Sequence, residues 1–142
     1  MYGTLSSSFQ RLRSLLCVFA KPKAGRGLAF GDFDRDGNQD LLINTNNGPA
    51  QLLRNDQLAA NHSIRFHLTG TKSNRDAISA EVRLYYSGIS QSRMVKSGSS
   101  YPSQSELPVT FGLGKQHKIE RAVIVWPSGR TKEFRQLTSG RA

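Results

Sequence analysis

Apolar and polar positions alternate with a period of two through the second half of the chain. Ile64, Phe66 and Leu68 are separated by Arg65 and His67, and Val82, Leu84 and Tyr86 by Arg83 and Tyr85. Successive side chains of a strand point to opposite faces, so this spacing predicts half-buried strands. Ser87-Gly88 predicts a turn, and residues 91–96 return from it. Val109-Thr110-Phe111 leads into Gly112-Leu113-Gly114, a tight turn between strands. Residues 119–126 predict the longest strand, with Ala122, Ile124 and Trp126 on one face. Pro127-Ser128-Gly129-Arg130 then turns the chain back into 131–137. No segment carries the 3.6-residue period of an amphipathic helix. Residues 61–138 therefore read as an antiparallel, β-sandwich-like domain of an all-β protein.

The first part of the chain has shorter apolar runs. Residues 27–33, 41–45 and 50–54 predict three short strands. An acidic loop, Asp32 to Asp40, joins the first two, and Asn46-Asn47-Gly48-Pro49 joins the next two with turn chemistry. Residues 26–56 form one unit on this reading, and a polar connector at 55–61 marks a domain boundary. Residues 1–25 are poorly determined. Arg11 and Arg13 precede an apolar run at 15–20, the outline of a signal peptide at its short limit. The preferred reading of that segment is a leftover strand or linker.

Composition narrows the classes. No stretch approaches the roughly 20 apolar residues of a membrane helix. Cys17 is the sole cysteine, which excludes an internal disulfide and a Cys-based zinc site. The net charge is +10, and it is unevenly placed. Residues 1–60 carry seven basic and five acidic side chains, whereas 61–142 carry thirteen and five. The second part should therefore attract polyanions in a salt-dependent way.

The strongest chemical signal is Asp32-Phe33-Asp34-Arg35-Asp36-Gly37-Asn38-Gln39-Asp40. Four like charges within nine residues repel unless a cation holds them. A hard divalent cation takes six to eight oxygens at about 2.3–2.6 Å, and alternate positions of a wound loop supply them. Gly37 permits the sharp turn that brings the next carbonyl onto the ion. The expected ligands are Asp32, Asp34, Asp36, the Asn38 carbonyl and Asp40, and the expected cofactor is calcium. A helix–loop–helix calcium site needs a Glu at loop position 12. Ile43 stands there, inside a predicted strand, so the expected site is of strand–loop–strand type.

These residues carry a resemblance. Residues 26–34 with Asp40-Leu41-Leu42 resemble an FG-GAP/VCBS repeat, a β-propeller blade with a calcium loop. Leu68-Thr69-Gly70-Thr71-Lys72-Ser73-Asn74-Arg75-Asp76, Phe111-Gly112-Leu113-Gly114 and Val125-Trp126-Pro127-Ser128-Gly129 resemble an ASPIC/UnbV domain. The resemblance implies a last, partial propeller blade followed by that domain, with the rest of the propeller upstream. It also implies an extracellular or periplasmic location. The family usually has Gly where Ser79 and Ser100 stand, so the backbone there is expected to differ.

Other constellations point to structure. No G-x-S-x-G elbow occurs, no catalytic residue is expected, and His62, His67 and His117 read as surface residues. Asn74 and Asp76 are expected to cap backbone amides, and Tyr101 and Gln104 to order a long loop. Lys115, Lys118, Arg121, Arg130, Lys132 and Arg135 gather near one hairpin. No motif or aromatic stacking pattern accompanies them, so no specific nucleic acid is expected. An extracellular protein or an acidic glycan is the expected partner class of a non-enzymatic module for adhesion or interaction. The alternatives are an accessory protein or enzyme of a bacterial biosynthetic pathway, and a basic polyanion-binding domain.

Overall fold

The computed structural model describes residues 9–11, 22–56, 61–72 and 74–141. The apolar run at 15–20, Cys17, Ser73 and connector residues 57–60 lie outside them. The described residues form eleven strands and no helix, so the chain is all-β. Accordingly, no helix among them is long and apolar enough to cross a membrane. The chain divides into two compact units. One takes the described residues before 59 together with Gly98–Glu106, and the other takes the remainder.

The first unit is a four-stranded sheet. β1 (Phe9–Arg11), β2 (Gly25–Gly31), β3 (Asp40–Thr45) and β4 (Gln51–Arg54) lie in the order β1-β4-β3-β2. β3 is antiparallel to both neighbours, and β1 adds to β4 in parallel. Leu41 sits between Phe30 and Leu53, which is 1% exposed and marks the apolar centre. Asn47 takes the left-handed conformation (φ 55°) that the turn after β3 requires.

β2 is an edge strand, and unpaired edge groups invite association. The 98–106 segment covers it as a strap. The Phe30 carbonyl accepts the Glu106 N–H at 3.1 Å, and the Phe30 N–H donates to Ser105 Oγ at 3.2 Å. The approach is close because Gly27 has no side chain. A Cβ there would lie 3.0 Å from both the Tyr101 carbonyl and Ser103 Oγ. Gln104 orders the strap as expected, accepting the Gly98 N–H at 2.7 Å. Tyr101 does so only through its carbonyl, which accepts from Ser103 Oγ at 2.9 Å. Its side chain is 74% exposed.

The second unit has two antiparallel sheets. One holds β6 (Glu81–Tyr86), β7 (Ile89–Met94), β9 (Lys118–Val125) and β10 (Thr131–Thr138) in the order β10-β9-β6-β7. The other holds β5 (His62–Phe66), β8 (Val109–Gly114) and β11 (Gly140–Arg141) in the order β11-β5-β8. The alternation read for β5, β6 and β9 is the observed one. Gly112-Leu113-Gly114, expected as a tight turn, instead continues β8, because Leu113 keeps the inward parity of Val109 and Phe111. Val82, Leu84, Ala122 and Ile124 from one sheet, and Val109, Phe111 and Leu113 from the other, enclose a shared core. Phe66 meets Phe111 edge-to-face at 5.9 Å, a favoured aromatic geometry.

The loop from β5 to β6 is tightly folded on itself. The Gly70 N–H donates to the Arg75 carbonyl, the Asp76 N–H to Asn74 Oδ1, and the Ala77 N–H to the Asn74 carbonyl. Asn74 thus caps backbone amides as its sequence position predicts. Ser79 ends this loop at φ 70°, a conformation that strains a residue with a Cβ. Ser100 takes part in an isolated bridge with Ser103 and shows no such strain. Ser79→Gly should therefore stabilise the protein by about 0.5–1 kcal/mol, read as a raised urea midpoint. A neutral or lower midpoint would show that Ser79 makes up the strain elsewhere.

Candidate metal centre

The acidic loop leaves β2 and returns into β3, and its own carboxylates wind it. Asp32 Oδ2 accepts the Gly37 N–H at 3.2 Å, Asp34 Oδ1 the Asp36 N–H at 3.4 Å, and Asp36 Oδ1 the Asn38 N–H at 2.8 Å. Arg35 and Gly37 take positive φ, 62° and 90°, which turns the chain back within a few residues. Aspartates suit such a loop because a short side chain reaches the backbone two residues on.

This winding brings Asp32, Asp34 and Asp40 together, with one oxygen of each within 4.8 Å of the others. Oxygens that share an ion at about 2.3–2.6 Å lie at most about 4.6–5.2 Å apart. The three carboxylates therefore fit around one hard cation. Asp36 is not in this group. It is half-buried and accepts the Asn38 N–H. Asn38 is also half-buried.

Asp40 anchors the loop. It is 2% exposed at the start of β3. Its Oδ2 accepts the Phe33 N–H at 3.0 Å, and its Oδ1 accepts the Asn55 N–H at 2.8 Å, beyond the end of β4. One side chain thus ties the loop to the segment leaving the neighbouring strand β4, at the same end of the sheet.

Two further residues hold the loop, and neither was signalled by the sequence. Glu106, at the end of the strap, accepts the Asp32 N–H through Oε2 at 3.3 Å and Gln39 Nε2 through Oε1 at 3.1 Å. It thereby grips both ends of the loop. It lies 74 residues from Asp32, and no local pattern marks it. Arg54 pairs with Asp56 and lies 3.5 Å from Asp34 Oδ2. The hydrogen bond to Asp56 and the Asp56 charge, with smaller help from Asp34 and Asp36, hold the guanidinium above its ordinary pKa against desolvation. A permanent cation therefore sits beside the carboxylates and offsets part of their repulsion.

The remaining sequence candidates belong to the second unit. His67 and His117 are exposed as expected, but His62 is half-buried, 6.0 Å from the His117 ring. His62 has the parity of Ile64 and Phe66, so the alternation of β5 itself places it on the half-buried face, which the reading of all three histidines as surface residues overlooks. The six cations near the last hairpin do not form one patch. Arg121 lies opposite Arg135 and over the Tyr85 ring at 4.1 Å. Lys132 lies opposite Ile124, whose side chain is in the core, and so points to the other face.

No curated protein matches the chain. The family pattern described as ASPIC and UnbV matches residues 70–142. That stretch contains the strap with Ser105 and Glu106, and it runs through β6 to β11. By this match over half of its length, the chain belongs to the ASPIC and UnbV family.

Proposed function

We propose that this chain is a non-enzymatic, calcium-braced module outside the cytoplasm, serving adhesion or protein and glycan interaction. On this reading the four-stranded sheet is a blade of the FG-GAP/VCBS type within a longer propeller protein. The observation that carries it is the convergence of Asp32, Asp34 and Asp40 on one point of a loop of nine residues. The all-oxygen, anionic donor set suits calcium, which would neutralise the carboxylates and hold β2 and β3 in register. Asp36 and the Asn38 carbonyl would complete the shell. The charge surplus of residues 61–142 favours an acidic partner.

Binding to the folded loop alone adds stability by mass action. Extracellular modules bind calcium at about 10⁻⁴–10⁻³ M. At about 10 mM calcium the chelator-treated protein should therefore gain roughly 1.4–2.7 kcal/mol, seen as a rise in Tm. Asp34→Ala should remove the rise. Asp34 is exposed and its one backbone hydrogen bond is long, so the variant should still fold. A wild-type Tm indifferent to calcium and chelator would end the reading.

A further inference from the structure

Two segments singled out in the sequence, 69–72 and 126–132, meet in the second unit around a cleft of about 390 Å³. This size falls in the range of small-molecule sites. Its cations are Lys72, Arg130 and Lys132, and no Asp or Glu lines it. Trp126 forms part of the wall, half-buried, with its inner side against the core. Thr69 and Thr71 add hydroxyls on one side, Ser128 and Thr131 on the other.

Both walls are preset. On one, the Gly70 N–H closes the loop onto the Arg75 carbonyl at 3.0 Å. On the other, the Trp126 N–H donates to the Arg130 carbonyl at 2.8 Å, and the Gly129 N–H to the Trp126 carbonyl at 2.9 Å. Gly129 makes that turn at φ 79°. The indole and the Arg130 guanidinium are thus carried by the two ends of one closed turn. Lys132 is steadied by the Phe134 ring, 4.8 Å from its Nζ. Little ordering remains to be done on binding.

We propose that this cleft binds an anionic saccharide, with the cations taking sulfate or carboxylate groups, the hydroxyls taking sugar hydroxyls and the indole taking an apolar sugar face. A sugar is distinguished from other polyanions by needing all three kinds of group at once. A single-stranded nucleic acid would call for successive aromatic platforms along a groove, whereas one aromatic ring lines the cleft. The proposal deepens the glycan-binding part of the function given above and rests on it.

The test uses the whole chain and titrates a sulfated heparin-derived tetrasaccharide by calorimetry. Its desulfated counterpart, free sulfate and a single-stranded oligonucleotide of matched charge are run in parallel. Lys72→Gln with Lys132→Gln should raise the tetrasaccharide Kd at least tenfold. Arg121→Gln with Arg135→Gln removes the same charge from the opposite face of β9 and β10 and should change it less than twofold. Trp126→Phe keeps a ring in the core and should weaken the tetrasaccharide without altering free sulfate. Equal losses in the two double variants would overturn the proposal, leaving general polyelectrolyte attraction. Equal affinity for the desulfated sugar or the oligonucleotide would overturn it too. Binding insensitive to both double variants would move the glycan site elsewhere and leave the broader function standing. A wild type that binds no saccharide would sink both glycan claims, while the calcium shift, read by Tm, stands or falls separately.

Discussion

Asp40→Ala is expected to destabilise the first unit by roughly 3–6 kcal/mol. Asp40 is 2% exposed, and each of its oxygens accepts one backbone N–H, from Phe33 and from Asn55. Hydrogen bonds to a charged group contribute about 1.5–3 kcal/mol each, and their loss leaves donors without their partner. Hydrogen exchange should show it directly, with the Phe33 and Asn55 amides losing protection. Asp40→Asn should fall between the wild type and Ala, because its amide nitrogen meets one of the two donors head-on. An Asp40→Ala protein within about 1 kcal/mol of the wild type would contradict the anchoring role. The comparison is best made in chelator, so that loss of a cation ligand does not add to the loss of the tie.

Gly70→Ala should cost about 3 kcal/mol or more in the second unit. A Cβ at Gly70 would fall 2.1 Å from the Asn74 carbonyl oxygen and 3.0 Å from its carbon. Both are backbone atoms, so no side chain can swing away, and the loop must open. Overpacking costs about 1–3 kcal/mol where side chains can adjust, and here they cannot. Opening also gives up the Gly70-to-Arg75 and Ala77-to-Asn74 hydrogen bonds. For a domain of this size each kcal/mol lowers Tm by roughly 4–8 °C, and the Trp126 fluorescence should report the transition. A Gly70→Ala protein that melts with the wild type would show that the loop has a second, equally good conformation.

The sequence made the second unit readable because its strands obey one rule. Val82, Leu84 and Tyr86 are buried in β6, and Ala122 and Ile124 in β9, as period-two burial demands. The nine-residue acidic loop was readable because Asp, Gly and Asn act on their own near neighbours. The grip of Glu106 was not, since it depends on chain passing 74 residues from Asp32, and neither a period nor a turn motif records that meeting. The same limit hid the tie from Asp40 to Asn55. Closeness along the chain also does not decide which basic residues share a face. Arg121, Arg135 and Lys132 are close in the chain, yet strand pleating sends them to opposite faces.

The strap has a consequence for biosynthesis. Ser105 and Glu106 seal the outer strand of the first sheet, and Ser105 lies 75 residues after Phe30. At roughly 5–20 residues per second a ribosome needs about 4–15 s to make that much chain. Throughout that interval the nascent ribbon carries a raw edge and an incomplete aspartate loop. A ribosome stalling between codons 60 and 100 would therefore leave a product prone to edge-to-edge stacking, and a chaperone that shields β-edges is the helper such a nascent chain calls for.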